Sequence, residues 1–167
     1  MPQNNTMPSL QEKRNFIEHD FVALLKTGNE QSIALWGRMS YRQMVEHMVL
    51  IFKNANGSLP SPKIITPAEK LPALREFIYN DNELKENTKS PALPDEPLPL
   101  RYPSLQAALD KLEKEIQLFM QAYDQTPGLT ILNPVFGYLS YEDAIHFQYK
   151  HTRHHARQFR LIDSFAR

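Results

Sequence analysis

The sequence predicts an all-α fold, a four-helix bundle with a long crossover between its second and third helices. Four segments show the helical period, with apolar residues at positions i, i+3, i+4 and i+7. A long stretch, residues 57–103, separates the second segment from the third, and no segment shows the alternation of a strand. One long and two short connections are typical of a bundle. At a length of 167 residues, we expect one domain over residues 1–167.

The first predicted helix covers residues 9–27. It follows a polar segment, residues 1–8, that we expect to be flexible. Gly28 stands where a helix commonly ends. The apolar stripe of this helix is formed by Leu10, Ile17, Phe21 and Leu24. This stripe is expected to face the core.

The second predicted helix runs from Ser40 to about residue 56. Ser40 is a favourable N-cap, and Gln43 three positions later completes the pattern of a capping box. His47 lies within the apolar stripe of this helix, so its imidazole is expected to be at least partly buried. The stripe also contains Met44, Met48, Ile51, Phe52 and Ala55.

The crossover, residues 57–103, contains a group of five prolines between positions 91 and 103. A short helix is predicted over residues 71–79, because Thr66 and Pro67 can begin one. The third long helix is predicted from Ser104 to about residue 124, where the amphipathic pattern is strongest. The length of the crossover allows the second and third helices to run parallel.

The fourth predicted helix begins after Ser140 and continues to about residue 165. Its inward face carries Ala144, Phe147, Gln148, His151, His155, Phe159 and Ile162. On the opposite face, which we expect to be solvated, are His146, Lys150, Arg153, Arg157 and Arg160. His154 lies on the flank, and His19 on the first helix is expected to face solvent.

Composition excludes several classes of function. The chain has 19 basic and 19 acidic residues and no cluster of positive charge, so we expect neither nucleic acid nor a membrane as a partner. Neither a secretory signal nor a membrane-spanning stretch is recognisable, so a cytoplasmic location is expected. Cysteine is absent, which excludes disulfides, thiolate metal sites and cysteine nucleophiles. Any metal site must therefore use nitrogen or oxygen ligands.

Three of the six histidines are predicted to converge in the bundle. His151 and His155 are spaced i, i+4, so both imidazoles lie over one patch of the fourth helix. His47 can add a third nitrogen from the facing helix. Imidazole ligands suit Zn, Ni, Cu and Fe, and three of them leave a position for water or substrate. The alternative is three core histidines bonded to carbonyls or to side chains such as Gln158.

Two pairs of segments resemble the DinB-like four-helix bundles, a superfamily that also contains bacterial S-transferases dependent on low-molecular-weight thiols. The first pair is residues 36–40 (WGRMS) with residues 43–48 (QMVEHM). The second pair is residues 133–140 (NPVFGYLS) with residues 150–158 (KHTRHHARQ). The pairing is similar to an uncharacterised bacterial branch in which a proline-phenylalanine-glycine turn precedes an HxxHHxxQ helix.

This resemblance implies a metal triad at His47, His151 and His155. In the superfamily the usual ligands are one histidine of the second helix and an i, i+4 pair of the fourth. The chain departs from the branch at Asn133, where the branch often has histidine. Any role of that histidine is therefore performed differently in this chain or not at all.

Three hypotheses about function follow. In the first, the triad holds a divalent transition metal, Zn or Ni, and the protein is a metal-dependent transferase using a low-molecular-weight thiol, or a hydrolase. In the second, the bundle binds a metal or a small ligand without catalysis. In the third, it is a structural, dimeric bundle without metal. The expected partners are a small-molecule substrate or thiol and a second copy of the chain in a homodimer.

Overall fold

The computed structural model describes residues 7–163, and its long helices begin where the sequence places their caps. Three serines close complete capping boxes: each side chain accepts from the backbone N–H three residues on, and that residue's side chain bonds back. These serines are Ser9, Ser40 and Ser140, which precede α1 (Leu10–Asn15), α3 (Tyr41–Ala55) and α6 (Tyr141–Gln158). Ser104 caps α5 (Leu105–Gln125) through the N–H of Ala107. The predicted all-α class is confirmed.

The first predicted helix contains a π-helical segment. After α1, residues Phe16–Asp20 form this segment, and α2 (Phe21–Leu25) continues the same helix. The wider π turn shifts the phase of the residues that follow it. As a result Leu25 is fully buried, whereas Leu24, which the regular helical period placed on the inward stripe, is only half-buried. Of the predicted flexible segment, residues 1–6 lie outside the described residues.

Helices α3 and α5 run parallel, as the length of the crossover allows. Near the start of α3, the Glu46 carboxylate accepts from the backbone N–H groups of Arg101 and Tyr102, which lie just before α5. After the end of α3, Asn56 donates to the carboxylate of Glu115 in the second half of α5. The two helices therefore point in the same direction along their long contact.

The first helix and α6 run antiparallel to α3. Tyr41, the first residue of α3, donates its hydroxyl to the carbonyl of Leu25 at the end of α2, over 2.6 Å. The Tyr41 ring also packs edge-on against Phe159, which directly follows α6, at a centroid distance of 5.0 Å. The ends of α2 and α6 thus meet the beginning of α3, which completes a four-helix bundle around one core.

The crossover contains the predicted short helix. It is α4 (Leu71–Tyr79), preceded by a 3-10 turn, Ala68–Lys70, and it packs against α6. Its position explains why the outer face of α6 is largely covered rather than solvated. The crossover returns to the bundle where Glu46 holds its last residues.

A small hairpin contradicts the expectation that the chain has no strands. Strands β1 (Ile131–Asn133) and β2 (Gly137–Leu139) pair antiparallel, with Asn133 opposite Gly137. Each strand has three residues, too few for alternation to be visible in the sequence. The Asn133 side chain accepts from the N–H groups of Val135 and Phe136. Asn133, the departure from the branch pattern, therefore shapes this turn.

Helix α6 ends at Gln158, seven residues before the predicted end at residue 165, which itself lies outside the described residues. Arg160 takes a left-handed conformation, with φ of 58°. The N–H of Leu161 bonds to the carbonyl of Ala156, and the N–H of Arg160 bonds to that of Arg157. This is a Schellman closure. Because arginine stands where glycine is usual, the sequence did not reveal the helix end.

The core lies between the four long helical rods and is rich in large apolar side chains. Those that are fully buried include Ile17, Phe21, Tyr41, Met44, Met48, Phe52, Leu112, Ile116, Phe119 and Ile145. Among the described residues, no helix is both long enough and apolar enough to span a bilayer.

Candidate metal centre

The three predicted ligands converge between α3 and α6. The Nε2 atom of His151 lies 3.4 Å from Nε2 of His47 and 3.1 Å from Nε2 of His155. One ring nitrogen from each of the three residues lies within 4.8 Å of the other two. The antiparallel arrangement of α3 and α6 brings His47 opposite the i, i+4 pair.

The spacing of these nitrogens suits a transition metal. Two nitrogens that each lie about 2.0–2.1 Å from a tetrahedral zinc ion are about 3.3 Å apart. The two Nε2 separations, 3.4 and 3.1 Å, are close to that distance. The donor set is three imidazoles with no carboxylate, which matches the preference of late first-row divalent ions for nitrogen. The cluster could therefore hold a metal ion.

Electrostatics keeps the three imidazoles neutral near pH 7. Burial lowers the pKa of His47 to about 4, with a further contribution from the nearby His154. Burial, followed by the repulsion of the neighbouring histidines, also lowers the pKa values of His151 and His155 well below the ordinary value. Because only neutral imidazole has a lone pair to donate, the fold holds the cluster in its metal-binding form.

Part of the cluster is open to solvent. His155 is buried, whereas His47 and His151 are each only half-buried. Two of the three imidazoles therefore retain some contact with solvent.

Gln158 holds the Nδ1 side of His155. Its Oε1 atom lies 2.8 Å from Nδ1 of His155, and its Nε2 donates to the carbonyl of Trp36 over 2.9 Å. Leu35 in turn donates its N–H to the Gln158 carbonyl, over 2.7 Å. A side chain at Gly37 would start 2.9 Å from the Gln158 amide nitrogen, and Gly37 also has a φ of 79°. Gln158 therefore contacts a predicted ligand and also bridges α6 to the segment before α3.

The other ring nitrogen of His151 is different. Its Nδ1 atom is buried and has no hydrogen-bond partner among the described residues. The Oε1 atom of Gln148, one turn earlier on the same face of α6, is likewise buried and unpartnered within residues 7–163. His151 thus differs from His155, whose Nδ1 has the Gln158 amide oxygen as its partner.

The remaining histidines lie outside the cluster. His154 is 7% exposed, stacks near Trp36 and lies with Nδ1 3.3 Å from the carbonyl of Leu84. His19 is exposed, as expected. The prediction for His146 is wrong: its side chain is 14% exposed, and its Nδ1 lies 2.9 Å from the ammonium of Lys13.

The prediction of a solvated arginine face on α6 is also wrong in part. Arg157 is buried, donates to the carbonyl of Leu84 and lies 3.3 Å from the carboxylate of Glu83. Arg153 lies 3.6 Å from the same carboxylate. The crossover covers this face, a contact between distant segments that a helical wheel does not include. Arg160 is exposed, as predicted.

The nearby acid Glu46 does not face the cluster as a free base. Both of its oxygens accept backbone N–H groups at the end of the crossover, over 2.7 and 3.2 Å. A helical wheel turns Glu46 away from its neighbour His47, but it contains nothing about these two hydrogen bonds. No signal short of the fold relates position 46 to Arg101 and Tyr102.

Comparison with known proteins gives a match to a family model. The family model described as the DinB superfamily matches residues 24–159, well over half of the chain. The matched range includes all three clustered histidines. No curated protein and no solved structure matches the chain.

Proposed function

The chain belongs to the DinB superfamily, and we propose that it is a metal-dependent enzyme whose divalent transition ion, zinc or nickel, is bound by His47, His151 and His155. The observation that carries this proposal is the approach of the three ring nitrogens to within 4.8 Å of one another. Three neutral nitrogen ligands leave one position of a four-coordinate ion for another molecule. An open position of this kind distinguishes catalytic sites from closed structural ones.

The proposed reaction is transfer of a low-molecular-weight thiol to an electrophilic small molecule. When bound, a divalent ion lowers the pKa of a thiol or water at its open position. The chain contains no cysteine, so the thiol comes from a second molecule. The half-buried faces of His47 and His151 border the approach for that molecule.

The surroundings of the triad favour a transferase over a hydrolase. A hydrolase of this type commonly uses a carboxylate as a general base near the ligands. The cluster contains no carboxylate, and Glu46, the acid next to His47, is occupied by two backbone N–H groups. A thiol needs less help in losing its proton than water does, because its pKa is several units lower.

Metal analysis tests the site itself. The wild-type protein, purified without an affinity tag, is expected to hold about one equivalent of zinc or nickel. His47→Ala and His155→Ala should lose it, whereas His146→Ala, on the other face of α6, should keep it. A metal-free wild type that also fails to bind added zinc or nickel would reduce the bundle to a structural role.

Turnover separates an enzyme from a binding protein. The zinc- or nickel-loaded protein is incubated with a panel of small thiols and electrophiles, and loss of free thiol is followed against His47→Ala as the control. Thiol consumption that needs the triad supports the transferase. Hydrolysis of ester or amide substrates without thiol consumption favours the hydrolase instead, and metal binding without any turnover favours a binding module.

A further inference from the structure

A second cluster of titratable groups lies on the face of α6 that is turned away from the triad. A cavity of about 20 Å³ lies between α1, α6 and the turn that follows α4. This volume has room for one water-sized group. The charged residues of its lining are four cations and two acids, Lys13, Lys150, Arg153, Arg157, Asp81 and Glu83. Ile78, His146 and Tyr149 also line it.

Lys13 brings a buried positive charge to this cavity. The residue is 6% exposed, and its ammonium lies 2.9 Å from Nδ1 of His146. An ammonium has three protons and can only donate, so Nδ1 must be the unprotonated nitrogen of a neutral imidazole. Among residues 7–163 no carboxylate lies within ion-pair distance of Lys13. A buried ammonium is normally paired with an anion.

Lys150 brings a second positive charge, and the hydrogen-bond acceptors of its ammonium are neutral groups. Its ammonium donates to the carbonyl of Asn80 over 2.5 Å, and it also donates to the carbonyl of Asn82. The same ammonium lies 4.6 Å from the centre of the Phe77 ring. These contacts hold the turn after α4 against α6, but none of them cancels the charge.

The groups around the cavity repel one another. Burial lowers the pKa of Lys13, and Asp81 opposes this effect. Burial, followed by the charge of Lys13, also lowers the pKa of His146. The other nearby acid, Glu83, is already shared by two arginines of α6.

We propose that this cavity is a binding site for one small monovalent anion, either chloride or a single carboxylate group, held by the Lys13 ammonium. The cavity is too small for a larger anion such as gluconate. Besides Nδ1 of His146, the ammonium of Lys13 has the Tyr149 ring 5.5 Å away, and neither contact supplies a negative charge. The chain as a whole is neutral, so the attraction is local to this cavity. The site is independent of the metal centre and of the proposed enzyme activity.

The thermal unfolding midpoint measures this binding. Sodium chloride is titrated from 0 to about 0.2 M while sodium gluconate keeps the ionic strength constant, so that screening does not change. We expect the midpoint of the wild type to rise with chloride and to level off, as binding to the folded state requires. Lys13→Met should lose this response, while Lys26→Met, an exposed lysine at the end of the same helix, should keep it.

Chloride-35 NMR line broadening provides a direct measurement that does not depend on any variant folding. The wild type is expected to broaden the signal, and Lys13→Met to bind chloride at least about tenfold more weakly, since a charge-assisted donor is lost. Displacement by formate would show that the site also takes a carboxylate, and failure of displacement would restrict it to halide. Absence of broadening by the wild type, or equal broadening by Lys13→Met, would overturn the proposal.

Discussion

Nδ1 of His155 lies 2.8 Å from Oε1 of Gln158, and this contact determines which nitrogen of the imidazole carries the proton. The Nε2 of Gln158 donates to the carbonyl of Trp36, so the amide must present its oxygen to His155. An amide oxygen can only accept, which places the proton on Nδ1. The lone pair of Nε2 then faces His151, 3.1 Å away, as a ligand requires.

Replacing Gln158 should therefore weaken metal binding. Gln158→Met keeps the size of the side chain but leaves the buried Nδ1–H of His155 without an acceptor, and we expect zinc affinity to fall about 10–100-fold. Gln158→Glu keeps the acceptor and should restore most of the affinity. Competition with a chelating dye measures the zinc affinity of each variant. Gln121→Met, at an exposed position of α5, is the control. Wild-type affinity in a folded Gln158→Met protein would show that the amide only bridges helices.

Much of the fold follows from signals that are local in the sequence. The serine caps and the period of the apolar residues locate all four bundle helices and α4, because these signals act within one or two turns. The π-helical segment, the Schellman end at Arg160 and the short hairpin were missed. Each of these features depends on a backbone conformation that the residue types at those positions do not predict.

The sequence likewise predicts the part of the candidate site that depends on a single helix, but not the part that depends on contacts between distant segments. The spacing of His151 and His155 on one helix predicts their shared face, and the phase of α3 predicts that His47 faces inward. The surroundings of His146 and Arg157 could not be predicted, because α1 and the crossover cover them through contacts between residues far apart in the sequence. A helical wheel describes one helix and contains no information about other segments that pack over its outer face.

The neighbouring histidines 154 and 155 should respond differently to the same substitution. His154 points toward Leu84 and Trp36, outside the cluster of converging nitrogens. We expect His154→Gln to retain one equivalent of zinc and His155→Gln to lose it, as metal analysis after dialysis would show. If His154→Gln also loses the metal while remaining folded, the ligand set differs from the proposed triad.

Without metal, the stability of the protein should fall as the solution is made more acidic. The pKa values of His47 and His154 are lowered to about 4, chiefly by burial, while unfolded histidine titrates near about 6.5. Between these values the unfolded chain binds more protons than the folded one. The unfolding free energy should therefore drop by up to about 1.4 kcal/mol per pH unit for each such histidine as the pH falls from about 6.5 to 4.

Urea unfolding in the presence of EDTA measures this dependence on pH. His154→Phe should reduce the slope in that window, because one buried titrating group is removed. His19→Phe, at a position where the side chain is 69% exposed, is the matched control and should leave the slope unchanged. A wild-type stability that does not vary between pH 6.5 and 4.5 would contradict the expected burial of these imidazoles.

Asp143 joins the crossover to α6, and we expect its replacement to lower the free energy of unfolding. Its carboxylate accepts from Arg75 over 2.6 Å, from the Tyr79 hydroxyl over 2.7 Å and from the backbone of Ser140 over 2.9 Å. Burial alone raises the pKa of Asp143, but the hydrogen bonds of Tyr79, Ser140 and Arg75 outweigh it and lower the pKa. Its stabilising contribution is therefore present above about pH 4 and is lost as the pH falls through the lowered value.

Asp143→Ala should lower the unfolding free energy by about 2–4 kcal/mol at pH 7, since it removes the Asp143 half of the capping box and leaves buried donors without an acceptor. Glu142→Ala, in the same helical turn but with an exposed side chain, should change it by less than about 0.5 kcal/mol. Chemical unfolding of both variants at pH 7 and at successively lower pH provides the comparison. The deficit of Asp143→Ala should shrink as the pH falls through the lowered pKa of the wild-type carboxylate. A deficit that stays constant until acid itself unfolds the wild type would show that the charge of Asp143 contributes nothing.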